Sequence, residues 1–275
     1  DPMTTLIRNA TIITMNDRLD VIEGAVAIDG GRIVSVGAEP EAPCHHIVNA
    51  GGAYLLPGFI QTHVHLCQTL FRSYADDMPL LEWLRRRIWP MEAAHSPDTL
   101  RAATRLAAAE LLLSGTTTAL TMETVHDTDV VFDALAEFGL RATVGKCMMD
   151  SDDNVPSRLR EDTQRSIDES VALRARWDGA AHGRLRAAFA PRFAVSCSRR
   201  LLEAVAALSA SDSVIVHTHA SESRDEVDVV RRLSGGLSNL EYLNATGLAS
   251  ERLCAAHCVW VSDAEQALIA ERNVK

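Results

Sequence analysis

A change of rhythm at Pro57-Gly58 constrains this chain more than any other feature. Before it, residues 5 to 56 are β-like. Thr5–Thr14 is rich in Ile and Thr, Val21–Asp29 alternates in part, and Asp29-Gly30-Gly31-Arg32 has the composition of a tight hairpin turn into Ile33–Val36. A further short strand around Ala53–Leu56 closes the segment. After Pro57, short β-like runs at Phe59–Thr62, Thr116–Thr121, Arg141–Cys147, Leu185–Phe189, Val214–His217 and Arg252–Ala256 alternate with amphipathic ones. Helices are expected through Leu80–Trp89, Asp98–Leu113, Thr128–Phe138, from about Arg158 to Trp177, and at Arg200–Leu208, Asp225–Leu233 and Asp263–Glu271.

Strands alternating with helices predict βα units around a parallel sheet. Six such units without a Gly-rich phosphate fingerprint favour a TIM-type (β/α)8 barrel over a doubly wound sheet. A complete barrel takes about 250 residues, more than lie between Pro57 and Lys275. The expectation is therefore an α/β fold in two parts. Residues 1–56 form a small N-terminal β-sandwich portion, and residues 57–275 an incomplete barrel, with Asn273-Val274-Lys275 as the start of a seventh strand.

Composition narrows the function. The 275 residues carry a formal charge of −10, and the one dense basic cluster, Arg85-Arg86-Arg87, reads as a solvated helix face. A nucleic-acid polymer is thus not the expected partner; a small-molecule substrate is, and homo-oligomers stay open. Six scattered cysteines with no CxxC read as reduced thiols, hence a cytoplasmic protein. No apolar run approaches the length of a membrane span, and the N-terminus lacks the layout of a signal peptide. Asp1-Pro2 ahead of Met3 reads as an expression scar.

The chemistry concentrates at strand ends. In 57-PGFIQTHVHLCQ-68, His63 and His65 are two apart, so both imidazoles face one side of a strand. Active sites of such barrels lie at the C-terminal strand ends, and two neutral imidazoles there suit a borderline divalent metal, Zn²⁺ first and Fe²⁺ second. An isolated HxH is explained as well by a polar strand edge. Here, however, 214-VIVHTHASE-222 and 252-RLCAAHCVW-260 bring histidines to two further strand ends. Glu222 follows His219 by three residues and offers a carboxylate for proton transfer, although a helix N-terminus would also favour it. His45, His46, His95, His126 and His182 have no such setting and read as surface or satisfied core residues.

At these residues the chain resembles the amidohydrolase superfamily, and within it the metal-dependent aminohydrolases of purines, purine nucleosides and s-triazines. The resemblance rests on 57-PGFIQTHVH-65, 76-DDMPLLEWL-84 with 88-IWPMEA-93, 115-GTTTAL-120, 190-APRFAVSCS-198, 217-HTHASES-223 and 255-AAHCVWVSDAE-265, in family order. It implies that His63, His65 and His219 ligate the metal, that Glu222 shuttles the proton, and that His257 orients the hydrolytic water or the tetrahedral intermediate. His217 competes for the ligand role, and the HxxE spacing to Glu222 favours His219 by analogy. The N-terminal β segment is similar to the first half of a composite sandwich. The strand-eight Asp ligand and the histidine of the HxxSN segment have no counterpart before Lys275. The resemblance thus implies the N-terminal part of a longer enzyme, or a remainder supplied by a second chain, and no competent catalysis by this polypeptide alone.

For the substrate the resemblance divides. Glu92 matches a carboxylate that binds ribose hydroxyls in methylthioadenosine and adenosylhomocysteine deaminases, and Arg158 another residue of that site. Lys146 and Arg192 depart from that subgroup, while APRF and HLCQ, with Gln68 and Arg192 as groups for an oxopurine edge, are similar to guanine deaminases. HLCQTLFR, GKCMMD and AHCVW together also resemble 5′-deoxyadenosine-type deaminases. The expected activity is hydrolytic removal of an amino group from an adenosine-type nucleoside. Guanine or another oxopurine comes second and an s-triazine third; a non-catalytic metal-binding fragment is the alternative of another class.

Overall fold

The computed structural model describes residues 5–75 and 77–275. The Asp1-Pro2 dipeptide and Asp76, the first residue of the DDMPLLEWL stretch, lie outside the described residues. The chain divides into two compact units, one ending at Phe59 and the other spanning Ile60–Lys275.

In the first unit, β1 (Thr5–Ile13), β2 (Val21–Asp29), β3 (Arg32–Gly37), β4 (His46–Asn49) and β5 (Tyr54–Leu55) form one sheet in the order β3-β2-β1-β4, with β5 also on β1. The β2–β3 hairpin turns through Gly30 and Gly31, both at positive φ, where a side chain would be strained. A bulge between Ile7 and Ala10, with Asn9 left-handed, inverts side-chain parity along β1. Leu6 therefore packs with Ala25 and Ala27, whereas Ala10 and Ile12 pack with Val26 on the other face.

The second unit holds β6 (Phe59–Val64) from its second residue on, β7 (Thr116–Met122), β8 (Arg141–Met148), β9 (Leu185–Pro191), β10 (Val216–Ala220) and β11 (Leu253–His257), hydrogen-bonded in sequence order. The pairings from β7 through β11 are parallel, with helices in the crossovers. If the sheet were flat, β6 and β11 would lie roughly 24 Å apart at the usual interstrand spacing. Instead the His63 and His257 rings are 4.9 Å apart between centroids, so the sheet is curled into a TIM-like barrel wall. Beyond the last helix the chain returns beside β11: Lys275 N–H donates to Leu253 O and Ala255 N–H to Lys275 O. That is the pairing expected of a seventh strand's first residue.

Helix Pro97–Leu113 shows why the crossovers pack. Leu100, Ala103, Thr104, Ala107 and Ala108 are buried at helical spacing, and Ser96 and Thr99 close a capping box at its start. Three elements differ from the sequence expectation. The helix expected from Arg158 begins at Thr163, where Asp162 accepts from the Gln164 and Arg165 amides and so fixes the terminus. Leu80–Trp89 is not one regular helix but a four-residue α turn followed by a π turn over Leu84–Ile88. Pro90 crowds the carbonyl four residues back and the ladder widens there. Finally, β10 starts at Val216 and runs through Ala220, which places His217 and His219 inside the strand.

Candidate active site

His63 and His65 lie near the end of β6, with His65 just beyond it. His217 and His219 share one face of β10, and His257 ends β11. The curl of the sheet makes these rings neighbours. From His63, the centroids of His65, His217, His219 and His257 lie at 5.0, 4.9, 4.8 and 4.9 Å.

Hydrogen bonds fix the tautomers of two rings. His65 Nδ1 lies 2.8 Å from Met122 O and His219 Nδ1 lies 2.7 Å from Arg192 O. A carbonyl only accepts, so both Nδ1 atoms carry the proton and both Nε2 atoms present lone pairs. Those two Nε2 atoms face each other at 3.0 Å. Two lone pairs at that distance repel unless a cation lies against both. One ring nitrogen each from His63, His65 and His219 falls within 4.8 Å of the others, a donor set suited to one divalent ion.

The same crowding keeps the imidazoles neutral, as metal ligands must be. Burial, then the neighbouring His217 and His257, pushes His63 down to about 3. Burial holds His65 and His219 well below the ordinary histidine range and brings His217 to about 4. His217 differs from His219 in what it faces. Its Nε2 meets His63 Nδ1 at 2.8 Å, whereas the His219 Nε2 atom meets that of His65.

Glu222 stands two residues beyond β10, its Oε2 3.5 Å from His257 Nε2. Burial raises its pKa, with the Arg192 charge opposing. The backbone around the pair is strained. Ser221, His257 and Cys258 all have positive φ, which non-glycine residues seldom adopt. Three amide bonds hold it there: Cys258 N–H donates to Ala220 O, and Val259 and Trp260 N–H both donate to Ser221 O.

The cavity that these groups line also has Leu80, Trp83, Leu84 and Phe193 as apolar members, with Gln68 and Arg192 as further polar ones. Of the residues expected to touch substrate, Gln68 and Arg192 reach the cavity. Glu92 is fully buried one layer behind. Its carboxylate accepts from Arg192 Nη1 at 2.6 Å, from Arg192 Nη2 at 3.3 Å and from Gln68 Nε2 at 2.8 Å, so both oxygens are engaged. Arg158 is outside: its side chain is 49% exposed and donates to Ala93 O. Lys146 points away into a buried pair with Glu161 at 2.6 Å. His95 is a satisfied core residue, bonded to Thr99 and to Cys67 O.

One carboxylate went unnoticed in the sequence. Glu123 follows β7 directly and accepts from the Leu66 and Cys67 amides, which fixes the turn leaving His65. Burial pushes its pKa up to about 8. The signal was available: an acidic residue closes the apolar run 119-ALTMETV-125.

The strand ends of a curled parallel α/β barrel wall thus bring together neutral histidines and a carboxylate, a donor set that could hold one divalent ion. The chain belongs to the amidohydrolase family, whose model matches residues 54–275. It is 33% identical over 270 residues to a 5′-deoxyadenosine deaminase from Methanococcoides burtonii, covering 98% of this chain and 60% of that protein. It is 34% identical over 274 residues to a 5-methylthioadenosine/S-adenosylhomocysteine deaminase from Pelotomaculum thermopropionicum, covering 98% and 61%. Its structure is similar to crystalline guanine deaminase from C. acetobutylicum, solved with guanine bound in the active site. The TM-score is 0.90 at 26% identity, over 98% of this chain and 66% of that one. The chain thus spans about 60% of the length of these curated relatives.

Proposed function

We propose that the protein acts, in its full-length form, as a metal-dependent aminohydrolase that removes an amino group from an adenosine-type nucleoside and releases ammonia. The substrate class is that of 5′-deoxyadenosine, methylthioadenosine or adenosylhomocysteine, and the reaction is hydrolysis of a carbon–nitrogen bond other than a peptide bond. The observation that carries this is the pair of facing Nε2 lone pairs on His65 and His219, with His63 beside them and Glu222 within reach of His257.

His63, His65 and His219 would hold the ion, zinc by the chemistry of three imidazoles and ferrous iron as the alternative. When bound, it supplies Lewis acidity that makes a nearby water easier to deprotonate. Glu222 takes the proton from that water, delivers it to the ring nitrogen next to the amino-bearing carbon, and carries a second proton to the departing amine. His257 Nε2 donates toward the oxygen gaining charge on that carbon. Leu80, Trp83, Leu84 and Phe193 offer apolar surface to a flat ring, and Gln68 and Arg192 meet its polar edge. The N-terminal sheet is, on this reading, one portion of a composite β-sandwich. Exposed Ile33, Val34 and Tyr54 are the kind of surface a facing sheet would cover. Six free cysteines fit a cytoplasmic setting.

A second reading, an oxopurine such as guanine, is favoured by one observation. Glu92 is consumed by Arg192 and Gln68, so the cavity presents those two groups rather than a carboxylate for ribose hydroxyls. Ammonia release by the full-length, metal-loaded protein from 5′-deoxyadenosine, methylthioadenosine, adenosylhomocysteine, guanine and an amino-s-triazine separates the readings. The nucleosides are expected to react fastest. Guanine as the preferred substrate moves the assignment to the second reading. A protein that holds metal but releases ammonia from none of them is a binding scaffold, and the deaminase reading fails.

A further inference from the structure

Among the described residues, four helices begin with a capping box, and one of them is displaced. In an ordinary box the residue three past the N-cap reaches back to the N-cap amide. Glu241 does so for Ser238 at 2.8 Å, and Glu265 for Ser262 at 2.9 Å. At helix Arg224–Ser234 the corresponding carboxylate, Glu226, is only 3.4 Å from the N-cap amide of Ser223. Its short bond, 2.7 Å, goes one residue further back, to the backbone N–H of Glu222.

Glu226 is also fully buried, as Glu265 nearly is, whereas Glu241 is exposed; what sets Glu226 apart is that its short bond lies outside its own box. Its second oxygen accepts from Nδ2 of the equally buried Asn239 at 2.6 Å. Asn239 is itself set in place at the start of the next helix, where Glu265 accepts from the adjoining Leu240 amide at 3.1 Å. An ionisable group buried with three donors is costly for a helix that needs only an exposed cap. The extra reach ends on Glu222, whose carboxylate approaches His257.

We infer that Glu226, anchored by Asn239, is a positioning residue that fixes the backbone of Glu222 and thereby the placement of its carboxyl beside His257. The inference rests on the reading of Glu222 as the proton carrier. It assigns no contact with substrate to Glu226 itself. Ser221 is left-handed immediately before Glu222, so the strand cannot hold that residue by continuing. The hydrogen bond that the Glu222 N–H donates to Glu226 takes the place of a ladder bond there.

The test compares Glu226→Gln with Glu241→Gln, the same position in an ordinary box, in the full-length, metal-loaded protein. Glu226→Gln is expected to lower kcat for ammonia release at least about tenfold, with KM and metal content little changed. Glu241→Gln is expected to lose some stability and no kcat. An unchanged kcat in Glu226→Gln, or an equal fall in both variants, overturns the inference.

A second measurement does not need activity. Amide hydrogen exchange at Glu222 should quicken at least about tenfold in Glu226→Ala while that of Val230, deeper in the same helix, holds. Should that variant not fold, Asn239→Ala carries the same comparison, with a smaller acceleration expected. Unaltered exchange at Glu222 defeats the brace whatever the activity. Wild-type protein that deaminates nothing defeats the functional reading and leaves the exchange result to stand alone.

Discussion

The two groups of polar side chains that line the cavity are built on different principles. The imidazole wall is assembled from strand periodicity: His63 with His65, and His217 with His219, are i and i+2 pairs on β6 and β10, delivered to one place by the curl of the sheet. The remaining polar lining depends on one long-range contact. Arg192 and Glu92, 100 residues apart in sequence, form a buried bidentate pair that also captures Gln68. The first arrangement leaves lone pairs facing one another and asks for a cation. The second satisfies itself and presents a finished polar edge. One group is thus incomplete without an added ion, while the other is complete as it folds, and on the proposed function reactivity would rest on the first and selectivity on the second.

Substitutions in the imidazole wall should break the comparison most strongly. His65→Ala or His219→Ala is expected to reduce bound metal from about one ion per chain to background and to abolish turnover, as read by elemental analysis and ammonia release. Glu222→Gln should keep the metal and lose about 10²- to 10⁴-fold in kcat. Burial raises the Glu222 pKa, and proton uptake needs the carboxylate. Wild-type activity should therefore fall, as pH is lowered, at a pH above the ordinary glutamate range, and this limb should vanish in the Gln variant.

In the other group the currency is stability and selectivity. Arg192→Met leaves Glu92 buried without its partner and is expected to cost about 3–5 kcal/mol in denaturant unfolding. The His219 ring should keep its tautomer, because it is the Arg192 backbone carbonyl that holds it. The double variant Glu92→Met/Arg192→Met should recover much of that loss while the substrate preference stays altered. Arg158→Ala marks the small end of the scale. With a half-exposed side chain outside the cavity, it should shift stability by less than about 0.5 kcal/mol and leave turnover unchanged.

The same division explains what could be read from the sequence. The alternation after Pro57 gave the barrel, because each strand and helix carries its own periodicity. HVH, HTHASE and AAHC gave the imidazoles, because i and i+2 on a strand share a face. The spacing to Glu222 favoured His219 over His217 by analogy, and what only coordinates add is that the His219 Nε2 atom faces His65. Glu92 and Arg192 were each visible as candidates, but their pairing was not, because no local rule relates residues so far apart. Glu123 and Glu226 were missed for another reason. Both act through backbone amides, and a carboxylate aimed at an N–H leaves no residue pattern beyond its own position. The start of the helix at Thr163 was lost to the same cause, a cap by Asp162 that outweighed the helical character of 158–162.

The proposed chemistry requires the three ring nitrogens to share one ion. Crystals of the full-length protein loaded with zinc, measured at the zinc absorption edge, test this most directly. The expected result is a single anomalous peak about 2.0–2.1 Å from His65 Nε2, His219 Nε2 and a ring nitrogen of His63. A peak elsewhere, or none, with the His65 and His219 nitrogens still facing each other, would contradict it.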